Sequence, residues 1–134
     1  MRAAPALSPG DAAAPRRFGP VTATDIVRFA GAGGDFNPLH HDEAAARSAG
    51  FDSIIAMGQF TAGLLAGLLT DWVGIENLRE FEVRFVAPVR VGDALELSAT
   101  VAGVGDDGAR IELEARSGDR RVVAATATVA TRAR

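Results

Sequence analysis

The chain divides into a first half with apolar residues at helical spacing and a second half in which apolar and polar residues alternate. Alternation of this kind is typical of strands that bury one face. It runs through four segments, residues 81–87, 95–101, 111–115 and 123–129. Asp106-Asp107-Gly108 and Ser117-Gly118-Asp119 separate the last three segments and predict hairpin turns. Residues 16–21 are predicted to add one strand at the beginning of the chain.

Two short helices are predicted ahead of these strands. Thr22 and Asp25 have the spacing of a capping box, and the helix that they begin ends at the glycines of residues 31–34. Asp42 is a predicted N-cap for a second helix over residues 43–47. Both helices lie within the first fifty residues, so the helical part of the chain precedes most of the strands.

The main helix is predicted over residues 58–73. It is apolar nearly all round, so other structure must cover it. Gly63 and Gly67 lie one turn apart and would allow a sheet or a partner helix to approach closely, at a cost of about 1 kcal/mol each in helix propensity. Helices followed by antiparallel strands predict an α+β fold, with a strongly curved sheet around the long central helix.

Composition narrows the class of protein. At 134 residues the chain is predicted to form one domain, over residues 16–134. A net charge of −3 with dispersed arginines argues against nucleic-acid binding, and the lack of cysteine excludes disulfides and thiolate sites. Residues 1–15 are rich in Ala and Pro and lack a continuous apolar core, which predicts a flexible leader on a cytoplasmic protein. The longest apolar run, residues 54–69, is too short to span a membrane and is predicted to be a buried helix.

The candidate chemistry is concentrated in residues 34–40. Pro38 fixes its own φ and favours an extended Asn37, so the loop holds Asp35 and His40 rigidly. A carboxylate and an imidazole held together suit proton transfer. The alternatives are that Asp35 is only a turn residue that accepts backbone N–H groups, and that His40 is a structural histidine.

A metal site is the other alternative for this segment. Asp35, His40, His41 and Asp42 are residue types that bind zinc or iron. Adjacent side chains of an extended segment point in opposite directions, however, and Asp42 is accounted for as an N-cap. We therefore expect no metal.

Residues 34–42, Gly-Asp-Phe-Asn-Pro-Leu-His-His-Asp, resemble the hydratase motif of the MaoC-like enzymes. These are (R)-specific enoyl-CoA hydratases and 3-hydroxyacyl dehydratases with a hot-dog fold. The resemblance covers roughly residues 16–131 and continues in residues 42–47, 50–51, 54–58, 61–64, 84–89 and 92–93. It implies a dimer in which a sheet wraps each central helix, with active sites near the interface and a tunnel for the acyl thioester of coenzyme A or of an acyl carrier.

The resemblance also assigns residues. Asp35 and His40 match the catalytic pair of the family, Asn37 matches the amide that supports it, and Gly58 matches the glycine whose backbone N–H polarises the thioester carbonyl. The chemistry agrees with this assignment. Asp35 can take a proton from water, His40 can return one, and an amide at a helix start can hold the enolate oxygen. The reaction needs no metal or redox cofactor.

This chain departs from the family pattern on both sides of Gly58. Many family members have His before the glycine and Met after it, where this chain has Met57 and Gln59; both residues are candidate substrate contacts.

Two alternative functions are a thioesterase and a structural subunit. A hot-dog thioesterase would direct water at the thioester carbon rather than at C3. A structural subunit of a heterodimeric dehydratase would be expected to lose the acid or the imidazole, and this chain keeps both. We expect a homodimer, with a heterodimer as the alternative.

Overall fold

The computed structural model describes residues 2–132. Three helices are present: α1 (Ala23–Gly33), α2 (Glu43–Ser48) and α3 (Gly58–Val73). Seven strands are β1 (Arg16–Phe18), β2 (Ile55–Ala56), β3 (Leu78–Phe85), β4 (Val89–Arg90), β5 (Leu95–Gly105), β6 (Gly108–Ser117) and β7 (Arg120–Val129). Single 3-10 turns lie at Pro38–His40 and Ile75–Asn77. The predicted main helix and both hairpin turns are confirmed.

Five strands form one antiparallel sheet in the order β1-β5-β6-β7-β3. The hairpins of β5, β6 and β7 make up its centre, and β3 pairs with β7 at one edge. Strands β2 and β4 form a separate antiparallel pair, in which Ile55 lies opposite Arg90 and Ala56 opposite Val89. Sequence periodicity did not predict this pair, because two residues are too few to show a period.

Helix α3 packs against the inner face of this sheet and contacts β3, β5, β6 and β7. The alternation in the strands follows from this contact, since every second side chain faces the helix. On β5 the buried members are Leu95, Leu97, Ala99 and Val101. The α+β prediction is confirmed.

The opposite side of α3 is open. Gln59 and Gly63 are exposed, and a Cβ added at Gly63 or Gly67 would meet no described atom within 4 Å. The sheet therefore does not approach the helix at these glycines. A single five-stranded sheet covers one side of a helix, which leaves the glycine side available to something outside the described chain.

The predicted caps are present. The Thr22 hydroxyl accepts from the Asp25 amide at 3.1 Å, and the Asp25 carboxylate accepts from the Thr22 amide at 2.8 Å. The hydrogen bond from the Thr22 amide is the main cause that holds the pKa of Asp25 below its ordinary value. Asp42 accepts from the amides of the first turn of α2, as expected for an N-cap.

Aromatic contacts join the two longer helices. The ring of Phe60, in the first turn of α3, meets Phe18 of β1 and Phe29 of α1 edge to face, with centroids 5.5 and 5.6 Å apart. Contacts of this geometry are favourable beyond the area they bury. They fix the C-terminal half of α1, and with it the loop that follows, beside the start of α3.

The N-terminal segment differs from the expected flexible leader. Its backbone runs beside β5, where the Gly10 amide donates to Val101 O and the Ala13 amide donates to Ala99 O. Leu7 and Ala13 are buried in the core. The packed unit thus includes residues before Arg16; Met1 and residues 133–134 lie outside the described range. Within that range no helix is both long and apolar enough to cross a membrane.

Candidate active site

The loop that follows α1 is held by its own backbone and by Asn37. Gly34 ends the helix in the left-handed region with φ of 69°, and the Asp35 amide donates back to Ala30 O at 2.9 Å. The Asn37 side chain accepts from the Leu39 amide at 3.1 Å, and the Asn37 amide donates to the Asp35 carboxylate at 3.2 Å. These bonds join Gly34, Asp35 and Asn37 to the end of α1 and to the turn at Leu39; the rigidity predicted from Pro38 stays a prediction.

The structure brings Asp35 and His40 together. Asp35 Oδ2 lies 3.5 Å from His40 Nε2, and the carboxylate is half exposed while the imidazole is almost fully buried. His40 Nδ1 lies 2.7 Å from Ile55 O. Because a carbonyl oxygen can only accept, Nδ1 carries a hydrogen and donates it. Nε2 is therefore the nitrogen left available for proton exchange, and it lies toward the carboxylate.

Gly58 is the first residue of α3, and no side chain caps the helix at this end. The Gly58 and Gln59 amides have no acceptor within the helix, whereas the Phe60 amide donates to Met57 O at 3.0 Å. A Cβ on Gly58 would lie 2.6 Å from the ring of Phe85, a contact too close to exist. Only glycine fits this position with Phe85 in place.

A cavity of about 310 Å³ lies beside Gly58. It is lined from β2, from the first turn of α3, from the connection between β3 and β4, and from β7. The lining residues are Ile55, Ala56, Met57, Gly58, Thr61, Phe85, Val86, Ala87, Pro88, Val89, Val122 and Val123. Ile55 lines this cavity, and its carbonyl oxygen accepts the hydrogen bond from His40 Nδ1. The acid–imidazole pair and the helix start are thus connected through one short strand.

The two candidate substrate contacts separate in the structure. Met57 is buried and lines the cavity. Gln59 is exposed and lines a different groove on the open side of α3, next to Phe29 and Gly63. Consecutive residues of a helix point in directions about 100° apart, which explains why the two neighbours of Gly58 face different spaces.

His41 is exposed, and its ring contacts the loop rather than the acid–imidazole pair: Nε2 lies 3.1 Å from the carbonyl oxygen of Phe36, to which it donates. Among residues 2–132 no three His, Asp or Glu side chains are grouped so that they could hold a metal ion.

Sequence reasoning missed three residues of this region. Ile55 anchors His40 through a backbone atom, for which side-chain type gives no signal. Phe85 was predicted only as a strand residue, although it lies against Gly58. Thr61 had a signal that could have been used, because a hydroxyl in a helix that is apolar nearly all round needs a partner.

A sheet packed on one long helix, with an acid–imidazole loop beside the uncapped helix start, defines a hot-dog domain with a candidate active site. The chain belongs to the family described as MaoC like domain, which matches residues 6–124. The 3-hydroxybutyryl-CoA dehydratase of Methylorubrum extorquens is 36% identical over 85 residues, 61% of this chain and 54% of that protein. The chain thus spans about half the length of that relative.

Two solved structures share the fold over nearly the whole chain. The (R)-hydratase of A. caviae involved in PHA biosynthesis superposes with a TM-score of 0.82 at 28% identity, covering 94% of this chain and 98% of that one. A chain of the ChsH1–ChsH2 complex of Mycobacterium tuberculosis gives a TM-score of 0.83 at 25% identity, covering 98% of this chain and 100% of that one. The predicted hot-dog fold is confirmed.

Proposed function

We propose that the protein is a lyase that reversibly hydrates trans-2-enoyl thioesters of coenzyme A or an acyl carrier to (R)-3-hydroxyacyl thioesters. The observation that carries the proposal is the separation of 3.5 Å between Asp35 Oδ2 and His40 Nε2, with the other imidazole nitrogen bound to Ile55 O. This arrangement places a potential base and a potential acid side by side. The names of the hydratase and dehydratase relatives support the same reaction.

The proposed reaction begins with His40 as imidazolium and Asp35 as carboxylate. Asp35 takes a proton from water as the water oxygen bonds to C3, and the C2=C3 electron pair moves toward the thioester oxygen. The Gly58 amide holds the resulting enolate oxygen. His40 then gives its Nε2 proton to C2 while Nδ1 stays bound to Ile55 O. Proton return from Asp35 to Nε2 restores the starting state.

Asn37 supports this pair by shaping the loop. Its side chain accepts from the Leu39 amide and its amide donates to Asp35, so it stabilises the turn and the position of the carboxylate. Met57, which lines the cavity beside Gly58, is the better substrate contact of the two candidates; Gln59 faces the open groove.

The direct test uses purified protein and a series of trans-2-enoyl-CoA substrates from four to twelve carbons. Loss of the enoyl absorbance with formation of only the (R)-3-hydroxyacyl product is the expected result. Release of free thiol without hydration would instead indicate a thioesterase and contradict the proposal. The absence of both reactions over the whole series, including the reverse dehydration, would also contradict it.

We also propose that the active form is a homodimer. Strand β3 forms an edge of the sheet, and an unpaired edge commonly pairs with another chain. Next to it, Gly63, Ala66, Phe81 and Val83 line an open groove along α3, which a second copy would cover. Light scattering after size exclusion should give twice the mass of the chain. A monomer that becomes active only with a different subunit would favour the heterodimer.

A further inference from the structure

The side chain of Thr61 is buried without a hydrogen-bond partner. Thr61 is completely inaccessible, and its Oγ1 is the one buried side-chain polar atom without a partner in the part of the chain that the structure describes. Thr70, on the same helix, shows what is usual, since its hydroxyl donates to Gly67 O. A buried hydroxyl left unpaired is unfavourable compared with an apolar group of the same shape. A hydrogen-bond partner from outside the described chain would therefore stabilise the Thr61 hydroxyl.

Thr61 lies in the wall of the cavity beside Gly58. It follows Gly58 by three positions, so both residues are on the same face of α3. Helical side chains lean toward the N-terminus, which directs Thr61 back over the first turn. The hydroxyl and the Gly58 amide thus lie on the same side of the cavity, with the hydroxyl covered by the cavity wall in the free protein.

The rest of the cavity wall is apolar. Among its described lining residues Thr61 has the only polar side chain, and Val122 and Val123 are the lining residues from β7. A ligand atom that reaches this place must accept hydrogen bonds while its surroundings remain apolar. A carbonyl oxygen meets that requirement, because it has two lone pairs and can accept from an amide and a hydroxyl together.

We propose that Thr61 is a second donor to the substrate's thioester oxygen, alongside the Gly58 amide. The inference rests on the proposed function for the identity of the ligand and extends it by naming a residue that touches the reacting group. As the enolate forms, negative charge grows on this oxygen, and a donor fixed in an apolar cavity stabilises it more than the neutral carbonyl. The hydroxyl then has a partner in the complex and none in the free protein.

The binding test does not require turnover. Butyryl-CoA and S-butyl-CoA differ in the carbonyl group, and neither can be hydrated; their dissociation constants are measured by calorimetry on the full-length protein. The wild-type protein should prefer the thioester. Thr61→Val should reduce this preference about three- to tenfold, the effect of one lost hydrogen bond, and Thr61→Ser should largely retain it. Thr70→Val is the matched control and should leave the preference unchanged.

Kinetics give a second readout. Thr61→Val should lower kcat roughly tenfold or more while KM changes about threefold at most, since the lost contact acts chiefly on the transition state. The melting temperature of Thr61→Val should equal or exceed that of the wild type, because an unpaired buried hydroxyl has been removed. This combination distinguishes a substrate donor from a structural residue, whose loss would lower the melting temperature.

The outcomes separate this inference from the hydratase proposal. If the wild type hydrates enoyl-CoA and Thr61→Val leaves the carbonyl preference unchanged, the inference is wrong and the proposed function stands. If hydration is absent but the preference depends on Thr61, the donor is supported and the proposed reaction is wrong. A wild-type protein without carbonyl preference, including one that binds neither ligand, overturns the inference.

Discussion

The imidazole of His40 donates from Nδ1 to the carbonyl oxygen of Ile55 over 2.7 Å, and this bond directs Nε2 toward Asp35. Ile55 is held in turn by its pairing with Arg90 across the β2–β4 ladder. The two-stranded sheet therefore orients the imidazole, while the loop after α1 orients the carboxylate. Two independent parts of the fold meet at the 3.5 Å gap, where the proposed reaction has each group exchange a proton with the bound reactant.

Removal of either member of this pair should abolish most activity without unfolding the protein. Asp35→Asn and His40→Ala should each lower kcat about 10²–10⁴-fold, as the loss of a positioned base or acid does. His41→Ala is a matched control, because His41 is exposed and its ring donates only to Phe36 O. It should retain activity within about threefold, since no proton-transfer group is lost. Equal losses in all three variants would show that the loop, rather than the pair, is required.

The Asn37 side chain should matter through the shape of the loop. Asn37→Ala removes the acceptor of the Leu39 amide and should cost about 1 kcal/mol of stability, as loss of a cap does. The displaced carboxylate should lower kcat about tenfold, since small misplacements of reacting groups are costly. Asn37→Ser keeps a weaker acceptor and should lie between the alanine variant and the wild type. Unchanged kcat in Asn37→Ala would exclude the supporting role.

Local signals in the sequence were sufficient to predict the helices and strands, but not the contacts between them. Thr22 and Asp25 predict their helix because a capping box is made within four residues, and Gly58 marks the beginning of the long helix. The anchor of His40 on Ile55 depends instead on a backbone carbonyl from a two-residue strand. The packing of Leu7 and Ala13 was missed for a similar reason, since a single leucine and an alanine within a run of alanines form no periodic pattern.

The contact between Gly58 and Phe85 should be revealed by a pair of substitutions. Gly58→Ala places a methyl group 2.6 Å from the original ring position, so the half-exposed Phe85 must move. The displaced ring and the crowded amide should lower kcat/KM about 10–100-fold. Phe85→Ala in the same chain should restore part of the loss, so the two changes should be non-additive in a double-mutant cycle.

Gly31→Ala is the control for this pair, because a Cβ on Gly31 meets no described atom within 4 Å. It should leave kcat/KM unchanged and stabilise α1 by up to about 1 kcal/mol, the difference in helix propensity. If Phe85→Ala restores nothing to Gly58→Ala, steric contact with the ring is not the cause of the loss.

The last prediction concerns stability and its dependence on pH. Burial raises the pKa of Asp93, but hydrogen bonds from the Arg90 amide, the Ser117 hydroxyl and the Arg120 guanidinium outweigh it and hold the pKa below its ordinary value of 3.8. These bonds are 2.8–2.9 Å long and clamp the turn after β4 to the hairpin of β6 and β7. Asp93→Ala leaves the three donors without their acceptor and should lower the free energy of unfolding at pH 7 by about 2 kcal/mol.

Because the pKa of Asp93 is lower in the folded than in the unfolded state, its contribution is present above about pH 4 and is lost as the pH falls through the folded value. Urea unfolding of both proteins should therefore give a difference that is constant from pH 5 to 7 and shrinks toward pH 3. Asp52→Ala, which removes an exposed carboxylate, should change stability by less than about 0.5 kcal/mol throughout. A difference for Asp93→Ala that stays the same down to pH 3 would mean that the charge of this carboxylate does not stabilise the fold.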